Sequence, residues 1–378
     1  MNTIDKLLKE WLAVQPLKPE LQRRMNQQFM FDFNYNSNHL EGNTLTYGQT
    51  KLLLLFGRVE GEALFRDYEE MKAHNVGLEL MKREARDKQR PLSENFIREL
   101  NNTILAGDFY KTSRDGEYSY KIHTGVYKTR PNSVITPSGE MFDYASPEET
   151  PALMSDLVNW YRHIDAEVEP ALTPIEQAAL FHYRYIRIHP FEDGNGRIAR
   201  LMMNYILLRN NYPMIVIPTT DRNNYLDSLG KCDKITGTIP YNGANATIEQ
   251  IKPFVDYIRY FVGKKLSLVI SFAKEEIREF SENDVVEKIT DNQIYNAKLK
   301  EDVVDNVVED IPENITAKRQ KLILNFMKMN NKVSAKEIAA VLKFNTRTIQ
   351  RDFRQLQNRG IIERVGGDRS GYWRIIQK

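Results

Sequence analysis

The 378-residue sequence contains one cysteine, Cys232, and no long uninterrupted apolar run. A single cysteine excludes an internal disulfide and favours a reducing compartment. The N-terminal segment MNTIDKLLKEWLAV carries charges among its apolar residues, unlike a signal peptide. The most apolar later stretch, FVGKKLSLVISFAKEEI, is interrupted by lysines and is too short to cross a bilayer. These absences predict a cytoplasmic protein that does not bind a membrane.

Net charge is also nearly absent, since 53 Lys and Arg residues face 51 Asp and Glu residues. The balance conceals a division: residues 315–378 hold 15 basic and 4 acidic residues, and the other 314 residues hold 38 and 47. The acidic stretch before the basic segment has few large apolar side chains, which is typical of a solvated linker. The sequence therefore predicts an N-terminal helical region, a core, a linker and a C-terminal domain, at 1–90, 91–280, 281–314 and 315–378.

Most of the first 280 residues follow helical periodicity. The segments LSENFIRELNNTIL, SPEETPALMSDLVNWYRHI and TPIEQAALFHYRYIRI repeat apolar residues at near-helical spacing after proline-containing starts. The exception is GVYKTRPNSVITPSGEMFDY, residues 125–144, where β-branched residues alternate between glycines and prolines. The predicted fold class is mainly α, a helical bundle with a β-hairpin at 125–144 that we call the flap.

The stretch HPFEDGNGRIAR places a histidine, two acids and two arginines around a Gly-Asn-Gly turn. A proline limits the preceding helix and a new helix starts after the turn, so Arg197 and Arg200 lie one turn apart near its N-terminus. Free backbone amides, the helix dipole and two guanidiniums form a site for a polyphosphate. Asp193 suits a magnesium ion that bridges phosphates, and His189 suits a general base.

HPFEDGNGRIAR also matches, without a substitution, the signature H-P-F-x-D/E-G-N-G-R-x-x-R of the Fic family. The chain resembles this family over about residues 36–266, through SNHLEGNTLT, the flap, LVNWY and DRNNYLDSL. The resemblance implies transfer of AMP from ATP to a Ser, Thr or Tyr hydroxyl of a target protein, with loss of pyrophosphate. Gly194 is intact, which favours AMP transfer, whereas Lys128 and Asn101 stand where many relatives have Arg and His.

Carried over residue by residue, the resemblance implies a role for most of the signature. His189 would deprotonate the target hydroxyl, Phe191 would pack inward and orient the loop, and Asp193 would hold Mg²⁺ between the α- and β-phosphates. Glu192 occupies the variable position and receives no role. The ATP phosphates would be bound by Gly194, Asn195, Gly196, Arg197 and Arg200.

The segment SNHLEGN fits the S/T-x-x-x-E-G/N pattern that marks an inhibitory helix in this family, with Ser37, Glu41 and Gly42 at its fixed positions. The resemblance implies that Glu41 pairs with Arg200 and occupies the donors that a γ-phosphate needs. The same carboxylate would alternatively position a water that removes AMP from a modified target. A third interpretation is an ordinary helix whose acid faces solvent.

Within the flap, Ser133, Val134 and Ile135 form an extended segment, which we expect to dock a target segment by main-chain pairing. Tyr225 in DRNNYLDSL is either a core tyrosine or a neighbour of adenine, and the sequence does not choose. The remaining histidines lack a third ligand at metal-site spacing and are interpreted as structural: His39, His74, His123, His163 and His182.

Residues 334–376 follow the element order of a winged helix-turn-helix domain, a small α+β fold. A capping box at Ser334 and Glu337 precedes a short helix, a second helix starts at Thr346, and GIIERV and GYWRII predict two strands. The second helix presents a set of side chains suited to a major groove: Arg347, Gln350, Arg351 and Arg354.

Two interpretations of this C-terminal domain stay open. It binds DNA, or it recruits targets and joins copies of the chain into a homo-oligomer, because fold alone does not decide function. The whole chain is then either an adenylyltransferase that its winged helix localises or a DNA-binding regulator whose Fic core senses a nucleotide. His189 favours the enzyme, since sensing a nucleotide needs no base.

Overall fold

The structure is a computed structural model of the chain. It describes residues 3–58, 61–113, 116–135, 141–167 and 171–297 and, nearer the C-terminus, 319–320, 323–324, 326–327, 331–342, 345–366 and 371–376. The chain divides into two compact units, Met1–Glu287 and Lys288–Lys378. The boundary between them falls in the range assigned to the linker, and the domain bounds given by the sequence stay predictions.

Helices make up the first hundred described residues: α1 (Thr3–Ala13), α2 (Pro19–His39), α3 (Tyr47–Phe56), α4 (Phe65–Arg86) and α5 (Glu94–Ile104). Local sequence sets several of their ends. Thr46 and Gln49 form a capping box at the start of α3, and the Ser93 hydroxyl caps α5. After α2 the chain turns at Gly42, whose φ of 98° only glycine adopts without strain. Glu41 lies in this turn and not within the helix itself.

Two antiparallel hairpins follow α5 in the described part of the chain. β1 (Phe109–Thr112) pairs with β2 (Ser119–Ile122), and β3 (Ser133–Ile135) pairs with β4 (Met141–Asp143). The β3–β4 pair confirms the predicted flap hairpin, although its turn and the side chains of Val134 and Ile135 lie outside what the structure describes. The β1–β2 hairpin has no counterpart among the sequence predictions.

Three helices follow the hairpins, α6 (Thr150–Asp165), α7 (Pro174–Ile188) and α8 (Asn195–Arg209), and α8 packs against both α7 and α4. One set of apolar residues on α8 is buried: Ile198, Leu201, Met202, Tyr205 and Ile206. Burial on α8 extends to Arg197 and Arg200, which are 3% and 2% exposed. The two guanidiniums therefore lie inside the unit.

The end of α7, where the signature begins, is fixed by a buried arginine. Arg187 donates to the carbonyls of Gly237 and Ile239 and pairs with Asp233. Asp233 lies on α9 (Arg222–Thr236), and Gly237 and Ile239 lie between it and α10 (Pro240–Ala244); the last helix before the second unit is α11 (Lys252–Ala297). The backbone of α11 continues into the range predicted as linker. Over the described residues, no helix has both the length and the apolar character needed to cross a membrane.

The second unit holds the predicted helix-turn-helix with its wing: α12 (Ala335–Leu342), α13 (Thr346–Asn358), β5 (Ile362–Val365) and β6 (Tyr372–Ile375). The Ser334–Glu337 capping box is present, with the Ser334 amide donating to the Glu337 carboxylate at 2.8 Å and the Glu337 amide to the Ser334 hydroxyl. Ile338, Ile349 and Phe353 lie in its small core. The α+β winged helix-turn-helix prediction is confirmed.

Candidate active site

The loop between α7 and α8 is held in shape by its own side chains. His189 ends α7 in a left-handed conformation with φ 52°, and its amide donates to the Tyr185 carbonyl. Phe191 is fully buried. The Asn195 side chain donates to the Phe191 carbonyl at 2.7 Å and accepts from the Phe191 amide at 3.0 Å. Asn195 can therefore offer a ligand its backbone amide, since its side chain is used within the loop.

The N-terminus of α8 is an anion site that a carboxylate already approaches. Gly194 has φ 81°, and the amides of the first helical turn lack intrahelical acceptors. Gly196 faces Glu41 so closely that a Cβ there would overlap Glu41 Oε1 and lie 3.2 Å from Arg200 Nη1. The Glu41 carboxylate thus lies where the helix terminus attracts an anion.

Arg200 is held by the end of α2. Its Nη2 donates to Glu41 Oε1 at 2.7 Å and to the Ser37 carbonyl at 2.8 Å, and its Nε donates to the Ser37 hydroxyl at 3.0 Å. The Glu41 side chain is 38% exposed, whereas that of Arg200 is 3% exposed. Burial raises the pKa of Glu41, but the Arg200 guanidinium outweighs it and holds that pKa below its ordinary value. Ser37, Glu41 and Arg200, which the resemblance links, are therefore in contact, and Glu41 is ionised.

Arg197 is held by acids on two elements. Its Nη1 donates to Glu70 Oε2 of α4 at 3.1 Å, and its Nη2 lies 3.4 Å from Asp193 Oδ1. Glu70 also pairs with Arg66, one turn earlier on α4, at 2.7 Å. Glu70 is a residue that sequence reasoning missed, because it stands 127 positions from its partner and belongs to no motif.

Both carboxylate oxygens of Asp193 lie near cations, Oδ1 near Arg197 and Oδ2 near Lys111. Its Oδ1 accepts from the Gly194 amide at 2.6 Å, and its Oδ2 lies 3.1 Å from the Nζ of Lys111 on β1. Burial raises the pKa of Asp193, but Lys111 and Arg197 outweigh it and hold that pKa below its ordinary value. Over the described residues no cluster of three or more His, Cys, Asp or Glu forms a metal site. A lone carboxylate facing a cation fits Mg²⁺, whose other ligands are water and phosphate oxygens.

The imidazole of His189 is neutral at pH 7. Burial and, to a smaller extent, the Lys128 ammonium lower the pKa of His189 to about 4. The ring stacks on Tyr144 of the flap, with centroids 4.0 Å apart and planes 12° from parallel. Lys128 in turn donates to the carbonyl of Ile188 at 3.1 Å, and burial lowers its own pKa to about 8. The uncharged imidazole is thus enclosed by flap residues.

The first half of the flap is joined to the signature loop by hydrogen bonds. The Lys128 amide donates to the Pro190 carbonyl at 2.8 Å, and the Asn132 side chain donates to the Phe191 carbonyl at 3.1 Å. Arg130 forms a two-point pair with Glu192, at 3.1 and 2.6 Å. Glu192, which the sequence left without a role, therefore connects the loop to the flap.

Two residues left open by the sequence have defined places. Tyr225 is 4% exposed, its hydroxyl lies 2.9 Å from Nε2 of His182, and its side chain also hydrogen-bonds Arg200 of the signature. Asn101 donates to the Asp193 carbonyl at 2.9 Å and accepts from the Gly125 amide at 2.9 Å. Asn101 therefore ties the start of the flap to the signature.

In the second unit, helix α13 separates buried from exposed side chains. Ile349, Asp352 and Phe353 are buried. The four side chains predicted to contact DNA are exposed on the other face: Arg347, Gln350, Arg351 and Arg354.

The comparisons with known proteins agree with this architecture. The chain matches the Fic/DOC family model over residues 91–207 and a model of the DeoR-like helix-turn-helix domain over residues 319–370. The crystal structure of a Fic domain containing signaling protein from Bacteroides thetaiotaomicron is 57% identical, with a TM-score of 0.68, and the match covers 72% of this chain and 97% of that one. The chain belongs to the Fic/DOC family. The signature described above is thus the centre of a Fic domain.

More distant Fic proteins carry names that state an activity. Two are called protein adenylyltransferase fic-1, from Caenorhabditis briggsae and Caenorhabditis elegans, and each is 29% identical over 238 residues. Each match covers 62% of this chain and 40% of the relative, so the chain spans about two fifths of these curated relatives. A structure of a C. elegans Fic-1 fragment is 26% identical with a TM-score of 0.55, covering 72% of each chain.

Proposed function

We propose that this Fic protein is an adenylyltransferase that transfers AMP from ATP to a hydroxyl side chain of a target protein. The observation that carries the proposal is the meeting of a neutral histidine, His189, with a helix N-terminus, two buried arginines and the Asp193 carboxylate. The names of the more distant relatives support the same reaction.

In this mechanism the target hydroxyl attacks the α-phosphorus of ATP. His189 accepts the hydroxyl proton while the bond between the α-phosphorus and the bridging oxygen to the β-phosphate breaks, and pyrophosphate leaves. Arg197, Arg200 and the amides of Gly194 to Gly196 stabilise the negative charge that grows on the leaving group. Mg²⁺ bound at Asp193 would add neutralising charge to the phosphates.

Labelled ATP tests the reaction directly. Full-length protein carrying Glu41→Gly should incorporate label into protein from ATP labelled at the α-phosphate and not from ATP labelled at the γ-phosphate. Adding His189→Ala should abolish the labelling and leave ATP binding largely intact, since the phosphate contacts lie on other residues. Undiminished labelling by the His189→Ala variant would overturn the assigned base, and label from the γ-phosphate would overturn AMP transfer.

We further propose that Glu41 keeps this activity low. The carboxylate lies against Gly196 and pairs with Arg200, so it takes both the anion position and the guanidinium that a γ-phosphate would use. Wild-type protein should therefore label poorly beside Glu41→Gly. A target that already carries labelled AMP can be incubated with the wild type and with Glu41→Gly. Loss of the label with the wild type alone would show that the protein also removes AMP, by a water positioned at Glu41.

The flap is the proposed docking strand for the target. Within the described residues β3 pairs with β4 alone, which supports addition of a target strand along the other edge of β3. A proline at Val134 removes an amide from β3 and should reduce labelling of a target without changing ATP binding. Unchanged target labelling by Val134→Pro would contradict docking along β3.

A second function, DNA binding, is supported by the four exposed polar and basic side chains of α13. The full chain should bind duplex DNA with an affinity that falls steeply with salt, because neutralised phosphates release counterions. Arg351→Gln with Arg354→Gln should weaken binding, whereas Lys336→Gln on α12 serves as the matched control. No binding at low salt would favour the recruitment role for this domain instead.

A further inference from the structure

Lys111 is a basic residue beside the phosphate site that belongs to no motif. It lies on β1, 82 positions before Asp193, and its Nζ is 3.1 Å from Asp193 Oδ2. The two side chains are 45% and 20% exposed, so the pair is open to solvent on the lysine side. The ammonium occupies the position at Oδ2 where a divalent cation would bind.

The hairpin that carries Lys111 is docked at two points. Phe109 lies two residues before Lys111, so both side chains project from the same face of β1. The Arg66 guanidinium stacks over the Phe109 ring at 3.9 Å, and Arg66 pairs with Glu70, which pairs with Arg197. The hairpin therefore touches both the acid that suits Mg²⁺ and the arginine network of the signature.

The base of the hairpin is anchored independently of these contacts. The Thr124 amide donates to Asp108 Oδ1 at 2.9 Å, and Ile122, opposite Phe109 in the register, is buried. Lys111 is thus delivered to one place by a fixed strand, while its long side chain keeps several rotatable bonds.

We propose that Lys111 is a phosphate-binding residue of the nucleotide site, which occupies the cation position at Asp193 until the magnesium complex of ATP arrives and then turns to the β- and γ-phosphates. The inference rests on the proposed function. A divalent cation at Asp193 Oδ2 competes with the ammonium, because like charges about 4 Å apart repel strongly in a partly buried site. The phosphates enter with the metal and offer the displaced ammonium the nearest new anion, and a lysine serves as a point charge for phosphate.

The exchange predicts two effects of opposite sign in one variant. Lys111→Met removes the charge and keeps the length of the side chain. In the nucleotide-free protein it should bind Mn²⁺, used as a probe for the metal alone, roughly threefold more tightly, because the competing ammonium is gone. With saturating Mg²⁺ it should bind a non-hydrolysable ATP analogue roughly tenfold more weakly, because a charge-assisted phosphate contact is lost.

The experiment compares full-length protein carrying Glu41→Gly with the same protein carrying Lys111→Met, Lys111→Arg or Lys121→Met. Lys121 lies on the paired strand β2 and binds Asp108 at 3.0 Å, so Lys121→Met is a matched loss of charge on the same hairpin. It should change neither constant. Lys111→Arg keeps the charge and should retain most of the affinity for the analogue.

Three outcomes would overturn the role of Lys111. In Lys111→Met, the affinities for Mn²⁺ and for the analogue could both be unchanged, or both could be weakened, as a structural defect would weaken them. The third outcome is a higher affinity for Mn²⁺ with an unchanged affinity for the analogue. If the parent itself bound no analogue, the proposed function would fail along with the inference. Equal analogue binding by the parent and Lys111→Met would overturn the role of Lys111 and leave AMP transfer in place.

Discussion

The two arginines of the signature, three residues apart on α8, meet different parts of the fold. Arg200 is held by the end of α2 and the turn after it, through the Ser37 carbonyl, the Ser37 hydroxyl and the Glu41 carboxylate, and its guanidinium also hydrogen-bonds the Tyr225 side chain. Arg197 is held by carboxylates from two elements, Glu70 of α4 and Asp193 of the loop.

These differences separate two kinds of control. At Arg200 the carboxylate partner, Glu41, comes from the turn after α2, so moving that turn frees the guanidinium from its ion pair and clears the anion site together. At Arg197 the acids are themselves paired with the long basic side chains of Arg66 and Lys111, which are 44% and 45% exposed. This end can rearrange side chain by side chain, and no single contact should dominate it.

The largest expected effect comes from removing the carboxylate at the Arg200 end. Glu41→Gly should raise AMP transfer roughly tenfold or more, since a charge-assisted contact worth about 2 kcal/mol is freed for the γ-phosphate. Arg200→Ala on top of Glu41→Gly should cancel most of the gain, because the freed partner is missing. Label incorporation from ATP, measured for the wild type, both single variants and the double variant, checks this. Equal rates of label incorporation for the wild type and Glu41→Gly would show that Glu41 does not inhibit AMP transfer.

A smaller effect is expected at the Arg197 end. Glu70→Gln, placed on Glu41→Gly, should raise transfer by no more than about fivefold, because ion pairs near the surface are worth up to about 1 kcal/mol and Asp193 still holds Arg197. Glu79→Gln on the same helix is the matched control, since Glu79 pairs with Lys82 at 2.7 Å. An increase in AMP transfer as large as that caused by Glu41→Gly would show that Glu70 and Glu41 restrain the enzyme equally, contrary to the difference drawn here between the two arginines.

Sequence reasoning anticipated the Arg200 end better than the Arg197 end. The pairing of Glu41 with Arg200 is implied by the family resemblance, because both residues lie in patterns of fixed spacing that the family shares. Lys111 and Glu70 lie in segments without such a pattern, and β1 and β2 are each four residues long, too short for periodicity to distinguish them from loops. Their contacts with Asp193 and Arg197 cross 82 and 127 positions, a distance over which only the packed fold carries information.

The burial of the signature was another feature that local patterns did not reveal. An arginine pair at a helix start is compatible with a solvated face, yet Arg197 and Arg200 are almost fully buried. The flap hairpin was predictable from its glycine and proline punctuation, but its bonds to the loop through Arg130 and Glu192 were not. Both features depend on which elements pack together, and the family signature leaves the Glu192 position variable.

Both ends also act on His189, the proposed base. The Glu41 and Asp193 carboxylates each raise the pKa of His189, but burial and Lys128 outweigh them and lower it to about 4. In the Glu41→Gly protein the acidic limb of the kcat/KM profile should therefore lie below 6.5, the ordinary value for histidine. Lys128→Met should move that limb to higher pH and change the rate at pH 7 by less than about twofold, because the imidazole stays mostly neutral there. A limb that did not move would exclude an effect of Lys128 on the base.

The smallest expected effect separates the two ends by pH. The pKa values of Glu41 and Asp193 are both held below their ordinary values of 4.5 and 3.8. A carboxyl group whose pKa is lowered by folding stabilises the protein above its unfolded value, and that stability is lost as the pH falls through the folded value. Glu41→Gln should therefore cost about 1 kcal/mol at pH 7, seen as a thermal midpoint about 2–4 °C lower, with the deficit shrinking below about pH 4.5. For Asp193→Asn the deficit should persist to lower pH and shrink only below about pH 3.8. Thermal midpoints measured for both variants and the wild type between pH 7 and pH 3 check the order of the two pH ranges in which the deficits shrink.

Since both pH ranges lie well below neutral pH, inhibition by Glu41 should not be relieved between pH 6 and 8. If wild-type labelling rose between pH 6 and 8, the inhibition would be relieved by something other than protonation of Glu41 in its pair with Arg200.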